Sequence, residues 1–437
     1  MSTVVRGDPS KGLIGATLGF FAGFAAVSLF GPLAHRFQDA MGLTPVMVGF
    51  LVATPSLSGS LLRIPFGAWV DTTGGRRPFL VLLLLSLVGM IGLWGVIETF
   101  YPDRLVISFY PLLLFLAALS GCGIATFSVG IGQVSYWFPQ TRQGWALGTY
   151  AGLGNIAPGL FAFLLPLSLA AWGLAGSYLA WIVLLAIGIA VYAVTGLNAP
   201  FFQLRRAGLS PEEARSEAER LGQGIFPAGG LTQSLSIAAR RGATWALVAI
   251  YFTTFGGFIA LTAWFPTYWM SYYGVSIGTA GVLTAVYSIG ASVIRIPGGG
   301  VADRLGGEST AIGALLLTLV GALVLTLTDR YALSVAGAVL MAAGMGVSNA
   351  AVFKLVPQVA KDAVGGAAGW VGGLGAFGGF AIPPVMGAFV SSRGESGYAT
   401  GFVVFVGLAL VSLGLAVALR RRHAASSASR VRQPHPA

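Results

Sequence analysis

The chain has 437 residues, of which 56% are hydrophobic and only 9% charged, with a mean hydropathy of +0.82. That balance excludes a soluble globular protein, in which about a quarter of the residues carry charge. The net charge of +11 would fit a nucleic-acid footprint, but the positions of the cations exclude one.

Taken in order, the apolar stretches of membrane-crossing length predict twelve helices: 13–35, 46–70, 78–99, 109–136, 143–171, 177–199, 244–271, 277–302, 309–328, 331–356, 363–392 and 398–419. The first has no small-residue cleavage site behind it and is expected to be an uncleaved helix. With an even number of crossings both ends lie on one side, where 19 of the Lys and Arg fall; Arg36, Arg104, Arg330 and Arg393 fall on the other. Cations stay inside during insertion, so both ends are expected in the cytoplasm of a multi-pass protein of the cell's inner membrane. The basic excess is topology. Cys122, the single cysteine, lies in an apolar helix and cannot form an intramolecular disulfide.

Between the sixth and seventh stretches runs a polar segment, 200–243, which separates an N-terminal six-helix bundle (1–199) from a C-terminal one (244–420). Inside it, Ser210 followed by Pro211 and Glu213 predicts a short capped surface helix, and Gly222 to Gly230 a flexible linker. Residues 421–437 read as a basic disordered tail.

The string Arg-Ile-Pro-x-Gly-x-x-x-Asp-x-x-Gly-Gly occurs at 63–75 and again at 295–307. Each Asp marks the water boundary, so Arg63 and Arg295 lie eight residues inside, roughly 12 Å deep in a hydrocarbon core of about 30 Å. A guanidinium there costs several kcal/mol and cannot lose its proton. Two of them, placed symmetrically, predict a central anion site. The alternatives are snorkelling to the headgroups or pairing with a buried acid, yet all 14 Asp and Glu lie in loops or at helix ends. Lys354, near the inner end of the tenth stretch, is expected to snorkel.

The halves repeat elsewhere too. Phe138-Pro139-Gln140 and Val356-Pro357-Gln358 close the fourth and tenth stretches alike, and the fifth and eleventh are glycine-rich, with Gly148, Gly152, Gly154 and Gly372, Gly373, Gly375 at their centres. No strand precedes these glycines, so a dinucleotide fingerprint is excluded. They let helices approach closely and expose backbone beside a passage. Asn155, a carboxamide deep in an apolar helix, must find a polar partner. A duplicated six-helix unit joined by a linker resembles the major facilitator plan: all α-helical, two bundles related by a pseudo-two-fold axis, substrate between them at mid-membrane. The loops bearing Asp71 with Arg76, and Asp303 with Arg304, resemble that superfamily's short loop motif and are expected to act as gates. There the carboxylates would accept from helix N-termini and pair with the arginines.

Residues 144–156 and 369–380 are similar to the paired signature segments of the nitrate/nitrite porter family. The likeness extends to Phe138-Pro139, to Asn349 through Pro357, and to Tyr251 through Gly256. It implies that Arg63 and Arg295 bind nitrate, that Phe127, Tyr251 and Phe255 sandwich the ion, and that Asn155 is the signature asparagine. Thr126 and Tyr150 stand where asparagines are common in the family, which bears on fine selectivity.

No Asp, Glu or His is expected at mid-membrane, so the chain lacks the usual proton relay. An empty, doubly cationic site should resist reorientation, which predicts exchange of nitrate for nitrite. Proton-coupled nitrate symport and oxalate–formate-type carboxylate exchange are the alternatives within transport, and a non-transporting anion sensor the alternative outside it. No nucleophile–base pair, metal cluster or cofactor loop is visible, so neither enzyme activity nor a cofactor is expected. The expected partners are nitrate, nitrite and the lipid bilayer, with no nucleic acid, for a functional monomer.

Overall fold

The computed structural model describes residues 5–25, 29–139, 141–227 and 230–431. Among these residues the chain is helical between its turns, and no strand occurs. The helices follow the twelve expected crossings. The first is Pro9–Ala25 followed by Phe30–Met41; 26–28 lie outside the described residues. The second is Pro45–Leu61 with Arg63–Thr73, the third Arg76–Phe100, and the fourth runs from Tyr110 to Trp137. The fifth and sixth share Gln143–Gly154 and Ile156–Thr195, the latter turned at Gly173, where φ is 67°. Beyond the linker come Gly242–Tyr273, Ile277–Leu305, Gly307–Leu327, Tyr331–Val359, Val364–Arg393 and Val403–Val431. Among the described residues nine stretches are long and apolar enough to cross a membrane. The other passes are the interrupted first and second, and the fifth where it joins the sixth.

Several crossings are broken near their middles, three of them beside a proline. Pro65 and Pro297 lack the N–H that would bond Leu61 and Val293, and the helices slacken at Leu62 and Ile294, the residues just before the arginines. Bonding resumes at once, with Phe66 N donating to Leu62 O (3.1 Å) and Gly298 N to Ile294 O (2.9 Å). Pro158 does the same to the fifth crossing at Asn155. The fourth tightens to 3₁₀ winding over Cys122–Ala125, and the seventh widens to π winding over Phe252–Gly256.

The linker is more ordered than its composition indicates. Pro211–Arg220 forms as expected: Ser210 Oγ accepts from Glu213 N (3.2 Å), and Glu213 Oε2 accepts from Ser210 N (2.9 Å). Two further helices, Pro200–Arg206 and Leu231–Ala239, escaped the sequence reading. The second packs on crossings two and eleven. Within the supposed flexible stretch the buried Gln223 ties Phe201 N to Ile225 O; residues 228–229 lie outside the described residues. The final helix continues to Val431, so 421–431 are helical where composition alone predicted disorder, because Ala, Arg and Ser there extend a preformed helix. The remaining tail residues, 432–437, lie outside the description.

Candidate functional site: a paired-arginine centre between two bundles

Arg63 and Arg295 are both buried, at 0% and 1% exposure, and neither belongs to an ion pair among the described residues. Snorkelling and acid pairing are thereby both excluded. Arg63 donates from Nη1 to Gly372 O (3.0 Å) and from Nη2 to Ile124 O (3.3 Å), reaching the eleventh and fourth crossings. The Nε of each arginine is buried without a hydrogen-bond partner among the described residues. Both guanidinium carbons lie 5.0 Å from the centroid of the Phe255 ring, so their separation cannot exceed twice that. They are close enough for their charges to repel.

Aromatic rings surround this pair. Phe127 stacks on Phe255 (5.5 Å, 16° between planes), and Tyr251 stacks on the same ring (4.8 Å, 14°). Arg63 also lies over Phe127, at 4.7 Å, and Arg295 over Phe258, at 5.8 Å. Such cation–π contacts are worth roughly 0.5–2 kcal/mol each when desolvated, which helps to hold the charges out of water. The Tyr251 hydroxyl faces the arginines without a well-aligned hydrogen bond. The structure thus brings Phe127, Tyr251 and Phe255 together around the arginines.

Phe353 was missed. It meets Phe127 edge-on at 5.2 Å and Tyr251 at 4.9 Å, closing the cluster from crossing ten. Its place four residues after the intramembrane Asn349 was the available signal. Tyr150 donates toward the carbonyls of Thr126 (3.0 Å) and Phe127 (3.1 Å), so it steadies the backbone that carries Phe127. Asn155 sits at the break in crossing five and is fully buried. Its Nδ2 bonds back to Ala151 O (2.6 Å), Ser292 donates to its backbone carbonyl (2.9 Å), and its Oδ1 has no partner among the described residues. No recorded contact joins its side chain to either arginine.

Three of the signature glycines, Gly148, Gly152 and Gly373, sit where backbone meets backbone across the two bundles, and the others give room to side chains. A Cβ on Gly148 would lie 2.8 Å from Arg295 O, and one on Gly152 2.9 Å from Ser292 O. Gly373 faces Ser60 O in the same way (2.9 Å), Gly375 faces the Tyr251 side chain (2.6 Å), and Gly154 the Phe20 ring (2.1 Å). Gly372 serves twice, giving room to Ser128 Oγ (2.4 Å from a Cβ) and its carbonyl to Arg63. Close packing and backbone exposure coexist here.

At the linker end, each repeated aspartate reaches across to the opposite bundle. Asp71 accepts from the amides of Gly365 (3.2 Å) and Gly366 (3.3 Å) at the start of crossing eleven, and from Tyr136 (2.6 Å) and Ser234 (2.5 Å). Asp303 accepts from Trp145 N (3.1 Å) at the start of crossing five, and pairs with Lys354 (2.5 Å). A carboxylate at a helix N-terminus gains both orphan amides and the dipole. The arginines of these loops behave otherwise than expected. Arg76 turns away to the carbonyls of Ala193 (2.5 Å) and Gly196 (3.4 Å), closing the end of crossing six, and Arg304 is exposed, with no ion pair among the described residues. Lys354 is 8% exposed and bound to Asp303, which corrects the expectation that it snorkels; a neighbouring carboxylate outcompetes the headgroups. Ser234 comes from the linker helix, which no sequence repeat announces.

Twelve crossings in two repeated bundles, broken at mid-membrane around a buried pair of cations, define a transporter of the two-bundle secondary class. The profile of the Major Facilitator Superfamily matches residues 16–280 and 268–436. The chain is 30% identical over 428 residues to the probable nitrate/nitrite transporter NarK2 of Mycobacterium tuberculosis, spanning 98% of this chain and 100% of the relative. It is 30% identical to the probable nitrate/nitrite antiporter NarK1 of Thermus thermophilus (93% and 90% covered) and 25% identical to the nitrite extrusion protein of Bacillus subtilis (92% of each). In fold it is similar to the human organic anion transporter MFSD10, with a TM-score of 0.67 at 16% identity (94% and 100% covered). It is also similar to the transporter FucP in its outward conformation, with a TM-score of 0.66 at 17% identity (92% and 97% covered). The chain belongs to the nitrate/nitrite porter family of the Major Facilitator Superfamily.

Proposed function

We propose that this protein carries nitrate and nitrite across the cytoplasmic membrane by alternating access, exchanging one ion for the other. The observation that carries this reading is the pair of buried, acid-free guanidiniums sharing the Phe255 ring. A small planar anion fits between such forks because each offers N–H donors in one plane, and the aromatic faces confine a flat ion. The relatives named nitrate/nitrite transporter and antiporter support the same substrate.

In this reading Arg63 and Arg295 hold the ion, with Phe127, Tyr251 and Phe255 as its walls. Asn155 and the glycines keep crossings five and eleven close to crossings eight and two. Asp71 and Asp303 latch the cytoplasmic ends, and the latches release when the site turns inward; Arg76 supports the loop, and Arg304 takes no part in the latch. Both chain ends lie in the cytoplasm. With the site empty, two like charges repel in a dry environment, so the unloaded protein meets the larger barrier to reorientation. The loaded one does not. That asymmetry is what makes exchange obligatory.

Purified protein in liposomes tests this directly. Labelled nitrate should enter only when nitrite or nitrate is present inside, whether or not a pH gradient is imposed. Uptake into liposomes empty of both anions that collapses with the pH gradient would overturn exchange in favour of proton symport. Equal competition by oxalate would overturn the substrate.

A further inference from the structure

Besides the arginines and the Tyr251 hydroxyl, an amide side chain at the centre also has a donor to spare. Asn349, in crossing ten, is 2% exposed, and its Nδ2 is buried without a hydrogen-bond partner among the described residues. A buried amide N–H left unpaired costs about 1–3 kcal/mol, so in a folded protein it calls for a reason.

Its surroundings supply one. In a helix, residues four apart share a face. Four residues before Asn349, Met345 Sδ accepts from Tyr287 Oη (3.2 Å), and Tyr287 stacks with Phe258, over which Arg295 lies. Four residues after it, Phe353 packs against Phe127 and Tyr251. Asn349 therefore stands midway along the face that walls the anion site. The carboxamide is also oriented. Thr254, the neighbour of Phe255 in the π-wound turn, lies 2.7 Å from Asn349 Oδ1 and 3.0 Å from Ile250 O. The hydroxyl has one proton, and the shorter contact takes it. Oδ1 is then occupied and the amino group is left free.

We infer that Asn349 is a third ligand of the transported anion: its Nδ2 donates a neutral hydrogen bond to an oxygen that the two guanidiniums do not grip, with Thr254 holding the amide in the donating orientation. The inference rests on the anion reading of the site and adds a selectivity element to it. Two forks alone attract any small anion. A neutral donor at a third point favours a trigonal oxyanion with an oxygen to fill it, so nitrate gains more than nitrite, and both gain more than chloride.

Titration of nitrate, nitrite and chloride into purified full-length protein tests this, with the wild type beside N349L and T254V. N349L keeps bulk and removes the donor; nitrate affinity should fall on the order of tenfold or more, nitrite less and chloride least, while the melting temperature holds or rises. T254V leaves Asn349 intact and frees its orientation, so nitrate affinity should fall a few-fold. If N349L fails to fold, T254V alone decides: unchanged nitrate affinity overturns the inference. A folded N349L that binds nitrate as well as the wild type, or better, also overturns it, since the amide would then face the ion with its carbonyl. Failure of the wild type to bind nitrate at all would instead refute the transport reading on which the inference stands.

Discussion

Replacing Arg63 by lysine keeps the charge and removes the fork, which isolates the geometric part of anion recognition. A guanidinium has five N–H donors. In the structure two of the Arg63 donors go to Gly372 O and Ile124 O, and Nε–H is among those left over. Three therefore remain for an anion, and two of them can lie parallel along one edge. A lysine has three donors in total; after meeting the same two carbonyls it offers one. The substitution thus turns a two-point grip into a one-point grip, losing one hydrogen bond between charged groups, about 1.5–3 kcal/mol. In affinity that is roughly ten- to a hundredfold. Calorimetric titration of purified R63K with nitrate reads this number, and the melting temperature guards against misfolding. A folded R63K that binds nitrate within threefold of the wild type would refute the claim that fork geometry, rather than charge alone, selects the ion.

Three other outcomes follow from the same contacts. G365A puts a methyl 2.5 Å from Gly67 O and 2.6 Å from Asp71 Oδ1, too close to be absorbed without moving a helix; melting should drop by an amount equivalent to about 1–3 kcal/mol, and an unchanged melting temperature would contradict the backbone contact. D71N removes the charge that two helix amides and two hydroxyls address, so a cysteine introduced on the linker side of the passage should become several-fold more reactive toward a soluble maleimide. K354M strands Asp303 at 16% side-chain exposure and should destabilise by on the order of 2 kcal/mol, whereas D303N/K354M should recover most of the loss in a thermal scan; equal melting of the single and double variants would sink the pairing.

Much of this was legible in the residues. Arg63 and Arg295 betray themselves because nothing else explains a repeated guanidinium deep in an apolar run, whereas the breaks beside Pro65 and Pro297 fall inside spans expected to be continuous. The aspartates could be placed at the water boundary by spacing alone, and they accept from helix N-termini as expected, but Asp303 pairs with Lys354 and neither aspartate with the arginine of its own loop. What escaped was rotational phase. Crossings ten and seven are apolar all round, so no stripe says which residues face inward, and Phe353, Asn349 and Thr254 stayed hidden until the helices were set side by side. Ser234 escaped for another reason: a polar segment of ordinary composition gives no sign that one of its helices will be drawn under a neighbouring carboxylate.

Tyr136 and Lys354 each stand three residues before the proline near the end of their crossings, so they fill equivalent places in the two repeats, yet one is neutral and the other a cation. Asp303 and Lys354 belong to the same bundle, so on the proposed alternating-access cycle they would stay together if that seam parted. In the same cycle Asp71 would keep Tyr136 and give up two amides and a linker hydroxyl, with no cation moving alongside it. The two repeats thus carry unlike fastenings, and on the proposed cycle the two edges should differ in their response to salt.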